Sequence, residues 1–230
     1  MGKISRTGTT PQGQPHPPSR PPAPAPTLTP SLDKTGAEVA GVDEVGRGAL
    51  CGPVVAAAVM LAPEAVAQLQ ALGLTDSKQL SARQRQGLAG VIRSLALDCQ
   101  LGLASVAEID RLNILQASLL AMHRAIAKLQ PIPHLCRIDG NRSVPHLVIP
   151  QETWVQGDRR CPAIAAASIV AKVWRDALMD RLDRRYPGYG MAQHKGYGTA
   201  QHRSALARLG PSPCHRRSFA PCQQQQLTLL

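Results

Sequence analysis

The apolar positions of this chain fall into short valine- and alanine-rich runs early on and longer periodic stretches later. Val39–Glu44 and Val54–Leu61 are short, apolar and bounded by glycine and proline, which predicts two neighbouring strands joined by Gly46-Arg47-Gly48 and Gly52-Pro53. Pro63 suits a first helical turn, so a short helix is expected to about Leu72. Leu74–Leu80 is a polar loop ahead of Ser81, whose hydroxyl suits the N-cap of a helix over Ala82–Leu97. Gln100–Ala104 reads as a third strand. From Val106 to Leu129, apolar residues at Ile109, Leu112, Leu115, Leu119, Met122, Ile126 and Leu129 keep close to a 3.6-residue period, which predicts one long amphipathic helix.

After the Pro131-Ile132-Pro133 break, Leu135–Ile138 is expected to form a short strand ending at Asp139-Gly140-Asn141. His146–Ile149 and Thr153–Gln156 read as further extended pieces. Ala163–Tyr186 is a long helix, alanine-rich first and charged later. The glycine-rich stretch Tyr186–Thr199 is irregular, and Ala200–Leu209 is a last helix. No internal repeat is present. Strands first, then strands and helices mixed, predict an α/β domain. It occupies residues 36–220, between a proline-rich tail at 1–35 and a loose, glutamine-rich tail at 221–230.

Composition narrows the partners. Residues 1–32 hold nine prolines, three basic residues and no acid, so they cannot bury enough apolar surface to offset their ordering entropy. The tail is read as a disordered, polyproline-leaning extension. The formal charge is +11, most of it in the domain, and it favours a polyanionic partner, either nucleic acid or an anionic membrane surface. Six cysteines without a CxxC pair argue against a zinc site and fit a reduced, cytoplasmic setting. The longest apolar run, Ala49–Leu61, is too short for a membrane span and contains Gly52-Pro53. The N-terminal residues lack the apolar h-region of a secretion signal, so none is expected. The expected state is a monomer.

The chemistry centres on Asp43 and Glu44, adjacent carboxylates at a strand end beside the glycine-flanked Arg47. Carboxylates there make a seat for hard cations such as Mg²⁺ or Mn²⁺. Gly46 and Gly48 allow backbone amides to approach a ligand. Neighbouring strand residues point to opposite faces, so both acids are expected to share a site only if the strand ends or bends there. Asp139 sits where another strand meets a Gly-Asn turn, and Asp158 stands just before the long helix. Each has a bland reading, as a turn residue and as a carboxylate at a helix N-terminus. Asp176 competes as a fourth acid, but inside a helix with Lys172 and Arg175 nearby it reads as a surface salt-bridge residue.

The whole set is more specific than its parts. DEVGRG followed by GPVVAAAV, with IDGN, a GD before the long helix, DSK at 76–78, HKGYGT at 194–199 and HRRSF at 215–219, resembles type II ribonuclease H. The matches run in order from about Val39 to Phe219. The resemblance implies a ribonuclease H-like fold, a mixed sheet flanked by helices with a helical C-terminal portion. It implies a metal-dependent endoribonuclease acting on RNA·DNA hybrids and on duplex DNA containing single ribonucleotides, incising 5′ to the ribonucleotide. The ends left would be 3′-hydroxyl and 5′-phosphate, with no covalent enzyme intermediate. Asp43, Glu44, Asp139 and Asp158 would be the catalytic acids, holding two Mn²⁺ or Mg²⁺ ions about 3.5–4 Å apart.

The resemblance also assigns substrate contacts. Gly46, Arg47 and Gly48 would meet the ribose 2′-hydroxyl, which distinguishes RNA from DNA. Ser77 and Lys78 would hold phosphates. His194, Lys195 and Tyr197 lie in the loop whose tyrosine stacks on the sugar at an RNA–DNA junction. The family usually has proline where this chain has Gly198, a change that loosens that loop. Glu108 and Asp110 read as caps and surface charges, and His215-Arg216-Arg217-Ser218-Phe219 as phosphate contact or tail docking. A binding module that has lost its chemistry would lack one of the acids, and none is missing. A ribonuclease H-like DNA nuclease would not need the ribose-reading elements.

Overall fold

The structure is a computed structural model that describes Gly2 and residues 39–227, with side chains to Gln223. The proline-rich tail lies outside the described residues, Gly2 apart. A five-stranded sheet has the order β3-β2-β1-β4-β5, with β1 at Val39–Val45, β2 at Val54–Leu61, β3 at Ala96–Ala104, β4 at Leu135–Asp139 and β5 at Gln151–Trp154. β2 is antiparallel to β1 and β3, whereas β4 runs parallel to β1 and to β5. The helices are α1 (Pro63–Ala71), α2 (Ala82–Leu95), α3 (Val106–Leu112), α4 (Ile114–Ile126), α5 (Pro162–Arg185), α6 (Met191–His194), α7 (Ala200–Leu209) and α8 (Ala220–Leu227). None of the described helices is long and apolar enough to cross a membrane.

Alternation along the central strands sorts the core into two layers. Ala57, Val59 and Leu61 face α1, α2 and the N-terminal half of α5. Ala40, Val42, Ala56, Ala58 and Met60 face α4. The fit is tightest where α5 crosses β1. A Cβ on Gly41 would lie 2.2 Å from the Ala163 carbonyl carbon, so only glycine lets the helix backbone sit directly on the strand. A third, smaller cluster joins Leu50, Met179, Tyr189, Met191 and Leu206 to the C-terminal segment.

Four expectations change. The long helix at Val106–Leu129 is two helices, because Asn113 turns left-handed (φ 71°). Its amide closes α3 on the Ile109 carbonyl, and its side chain caps α4 by accepting from the Gln116 amide at 3.1 Å. Apolar periodicity continues across the break because both helices pack on the same face. The predicted second helix stops at Leu95, and β3 begins at Ala96, four residues before its expected start. His146–Ile149 forms no strand, and the last strand is Gln151–Trp154. The region after residue 220, expected to be loose, forms α8, with Cys222 buried against the third cluster.

Candidate active site

Parallel pairing of β1 and β4 places Val42 beside Ile138, and so sets Asp43 level with Asp139 at the carboxyl ends of adjacent strands. β1 continues through Glu44 to Val45, so it does not end at the acid pair as expected. Asp43 points toward α5 and Glu44 toward α4. Both still reach one cleft because the sheet ends there and the cleft wraps around its end. This cleft, about 430 Å³, is lined by Asp43, Glu44, Asp139 and Asp158, with Gly46, Arg47, Gly48, Ser77, Lys78 and Tyr197 around them.

Each acid has its own support. Asp43, 6% exposed, accepts from the Glu44 amide at 2.7 Å and lies within hydrogen-bond reach of Ser168 on α5. Glu44 takes the exposed Arg47 guanidinium at 3.2 Å. Asp139 accepts the Gly157 amide at 2.7 Å, which ties β4 to the 3₁₀ turn Gly157–Arg159 that carries Asp158. Asp158 meets the Lys78 ammonium at 3.2 Å. Burial, followed by repulsion from Glu44 and Asp139, holds the Asp43 carboxyl well above the usual carboxylate range. Burial also raises Glu44 against the pull of Arg47, and raises Asp139 against the Gly157 amide.

The DSK loop, whose Ser77 and Lys78 were expected to hold phosphates, lines the cleft, and Asp76 braces it from within. Asp76 is 1% exposed and bonds the Lys78 amide at 2.9 Å and Arg159 at 3.1 Å. These bonds outweigh the burial that would raise its pKa and leave it lowered. Ser77 shares a 3.0 Å hydroxyl contact with Ser168. Lys78 loses hydration, which works against its charge, but Asp158, Asp76 and Asp43 prevail and its pKa is raised.

The tyrosine loop is only partly in the cleft. Tyr197 lines it, with the Arg175 guanidinium 5.7 Å and the Lys172 ammonium 6.0 Å from its ring. His194 turns inward instead, bonding the Tyr189 carbonyl at 2.8 Å and stacking on His202. Lys195 pairs with Asp180 on the flank of α5, away from the acids. Neither is brought to the cleft as expected: φ is +50° at Lys195 and +82° at Gly196, so the chain reverses between them and Tyr197. The slack expected at Gly198 is offset by neighbouring ties. The Tyr197 amide donates to the His194 carbonyl at 3.0 Å, and its own carbonyl accepts from Thr199 and from His202.

The HRRSF segment makes no phosphate-ready surface at its first two residues. His215 and Arg216 are 1% and 0% exposed, and the segment docks by giving the Arg217 and Ser218 amides to Asp110 at 3.1 and 2.9 Å. Asp110 is thus a docking residue, while Glu108 caps α3 and pairs with Arg124. Asp176 bonds Lys172 at 2.8 Å within α5 and does not line the cleft.

Sequence reasoning missed three polar residues of the cleft wall: Ser168, Arg85 and Lys172. Ser168 left a trace, as the one polar residue in the buried run Pro162–Ala171. Arg85 left none, since its role is to brace the DSK loop through the Ser77 carbonyl at 2.9 Å.

Among the described residues, one further group has metal-ligand spacing, the buried Cys51, His202 and His215. Its hydrogen bonds close it. His215 Nδ1 accepts from the Ser212 amide at 3.0 Å, which puts the proton on Nε2, and that proton goes to His202 Nε2 at 3.0 Å. His202 Nδ1 in turn donates to the Tyr197 carbonyl. No imidazole lone pair is left for a cation.

A mixed sheet whose parallel neighbours β1 and β4 carry carboxylates near their carboxyl ends, packed by helices on both faces, is the arrangement of a ribonuclease H-type nuclease. The model of the family described as Ribonuclease HII matches residues 40–222, and the chain belongs to that family. Ribonuclease HII of Acaryochloris marina is 59% identical over 196 residues, covering 85% of this chain and 99% of that protein. Ribonuclease HII of Synechococcus elongatus is 64% identical over 181 residues, covering 79% and 84% respectively. The crystal structure of ribonuclease H2 from Pyrococcus horikoshii superposes with a TM-score of 0.73 at 25% identity, covering 83% of this chain and 98% of that one. The chain is therefore an endoribonuclease of the ribonuclease H class, acting on RNA–DNA hybrids.

Proposed function

We propose that this enzyme hydrolyses the RNA strand of RNA·DNA hybrids with divalent metal and also incises 5′ to single ribonucleotides in duplex DNA. The products would carry 3′-hydroxyl and 5′-phosphate ends. The observation that carries this reading is the meeting of four carboxylates with the GRG turn and Tyr197 around one cleft.

The donor set suits hard cations. It is all oxygen, and three of its acids are held above their usual pKa, so cations would relieve the repulsion that protons relieve otherwise. Asp43, Glu44, Asp139 and Asp158 would hold two Mn²⁺ or Mg²⁺ ions, which supply nucleophile activation and charge stabilisation at the leaving oxygen. Asp43 lies between Glu44 and Asp139, both close enough for their charges to act on it, so it is the acid best placed to be shared. Lys78 pairs with Asp158 yet keeps a side chain 77% exposed, which leaves its ammonium free to meet a phosphate. Ser77 supports that loop through Ser168. The Gly46–Gly48 backbone and the Tyr197 ring would read the ribose, the group that sets RNA apart.

The test is cleavage of a labelled DNA duplex containing one ribonucleotide, with Mn²⁺, Mg²⁺ or EDTA. Metal-dependent incision on the 5′ side supports the reading. Cleavage of long hybrids alone removes the single-ribonucleotide activity from it. Binding without cleavage of either substrate overturns it.

A further inference from the structure

Arg175 and Arg216 are the largest side chains with no solvent exposure among the described residues. Buried cations are ordinarily paired with carboxylates. Neither of these takes part in an ion pair among the described residues. Every hydrogen bond they make goes to a backbone carbonyl. Arg216 donates to Gly52 at 3.0 Å, to Arg47 at 2.8 Å and to Gly46 at 2.7 Å. Arg175 donates to Pro53 at 3.2 Å, to Cys51 at 3.0 Å and to Lys195 at 2.9 Å.

Gly46 and Arg47 belong to the GRG turn and Lys195 to the tyrosine loop, the two segments proposed above to face the ribose, and Cys51, Gly52 and Pro53 follow the turn. A peptide unit is planar and trans, so its carbonyl and the following N–H point in opposite directions. By drawing in the carbonyls of Gly46 and Arg47, Arg216 turns the amides of Arg47 and Gly48 away from itself. Both residues line the cleft, and neither amide has an acceptor among the described residues. Arg175 packs against Gly46, ties the Cys51–Pro53 segment that follows the turn to the carbonyl of Lys195, two residues before Tyr197, and lies beside the Tyr197 ring. Gly46 is matched to this arrangement twice, through its φ of +93° and because a Cβ there would strike Arg175 Nε at 2.2 Å. Arg216 is itself anchored, since its amide donates to the Leu50 carbonyl at 2.8 Å and the next two residues dock on Asp110.

We propose that Arg216 is a positioning residue that aims the Arg47 and Gly48 amides at the ribose hydroxyl, and that Arg175, packed against Gly46, locks the tyrosine loop to the segment following that turn before substrate arrives. This rests on the ribose-reading role proposed above. A lysine cannot replace the fork, because a single ammonium does not hold three carbonyls at fixed angles.

The test compares wild type with Arg216→Lys in EDTA, measuring affinity for a DNA duplex with one ribonucleotide and for the same duplex without it. In the variant, the preference for the ribonucleotide duplex should fall by about tenfold, the worth of one or two aimed hydrogen bonds. Affinity for the all-DNA duplex and its salt dependence should stay the same, because phosphate contacts are untouched. A folded variant with undiminished preference overturns the proposal. Should Arg216→Lys fail to fold, amide exchange in the wild-type protein decides. Protection of the Leu50, Gly52 and Tyr197 amides as strong as that of β2 supports a preset clamp, and exchange long before β2 overturns it. A wild-type protein that shows no ribonucleotide preference refutes instead the ribose-reading role on which the clamp rests.

Discussion

Replacing Gly41 with alanine tests whether the seat of α5 on β1 sets the acid cluster. The added methyl would lie 2.2 Å from the Ala163 carbonyl carbon and 2.3 Å from the Ile164 nitrogen. Real Cβ atoms essentially never come within 3.0 Å of another heavy atom, so strand and helix must part by the difference between 3.0 and 2.2 Å, at least about 0.8 Å. The clash is with backbone and cannot be relieved by a rotamer change. Overpacking of this kind costs about 1–3 kcal/mol. For a domain of this size each kcal/mol moves the melting midpoint by about 2–4 °C, so a fall of about 2–12 °C is expected. The functional cost is larger, because α5 carries Ser168 against Asp43 and forms a wall of the cleft. A misplacement near 1 Å costs about 10²-fold in rate. Hybrid cleavage, measured well below the variant's midpoint, should drop by about that factor. Gly48→Ala is the stability control, since its methyl would meet nothing within 4 Å. A Gly41→Ala protein with wild-type midpoint and rate would refute the claim that this contact sets the site.

Other outcomes follow from the same geometry. Asp43→Asn should abolish hybrid cleavage in a gel assay while leaving hybrid affinity largely intact, because binding rests on phosphate contacts; equal loss of both would contradict that division. Lys78→Ala should lower the slope of log affinity against log salt by about 0.9, the contribution of one phosphate contact; an unchanged slope would remove Lys78 from the substrate interface. Because the folded protein holds Asp43, Glu44 and Asp139 above their unfolded pKa values, it binds more protons than the unfolded chain at pH values above the ordinary carboxylate range, up to each raised value. These groups should therefore make the metal-free protein lose stability as pH rises through that window, and saturating Mg²⁺ should flatten the dependence; denaturant titrations at several pH values check both. Asp176→Asn should cost about 0.5 kcal/mol, as a partly buried i,i+4 pair, and leave the cleavage rate far closer to wild type than Asp43→Asn does.

Much of the site was legible before any coordinates, and its misreadings share a cause. Asp43, Glu44 and Asp139 announce themselves as acids beside glycine turns at the ends of apolar runs, and parallel pairing of two such runs brings them together. The direction in which a loop side chain points leaves no such mark. His194 and Lys195 sit in the same motif as Tyr197, yet two left-handed residues send one into the core and the other to the flank of α5. A basic His-Arg-Arg segment reads in one dimension as phosphate contact or tail docking, and only the fold chooses docking, with Arg216 turned to the carbonyls of a turn about 170 residues earlier. Ser168 passed unnoticed because its partners, Asp43 and Ser77, are brought to it only by the packing of α5.

Local sequence thus determined most of the elements, the family and the candidate acids, because periodicity, turn chemistry and motif spacing are properties of neighbouring residues. It did not determine the break at Asn113, since both helices keep the same buried face across it. Only tertiary structure decided which polar groups share a cleft, which raise each other's pKa and which are buried as braces. Those outcomes depend on distances between residues far apart in the chain, fixed by how closely α5 sits on Gly41 and how the C-terminal segment folds back beneath the GRG turn.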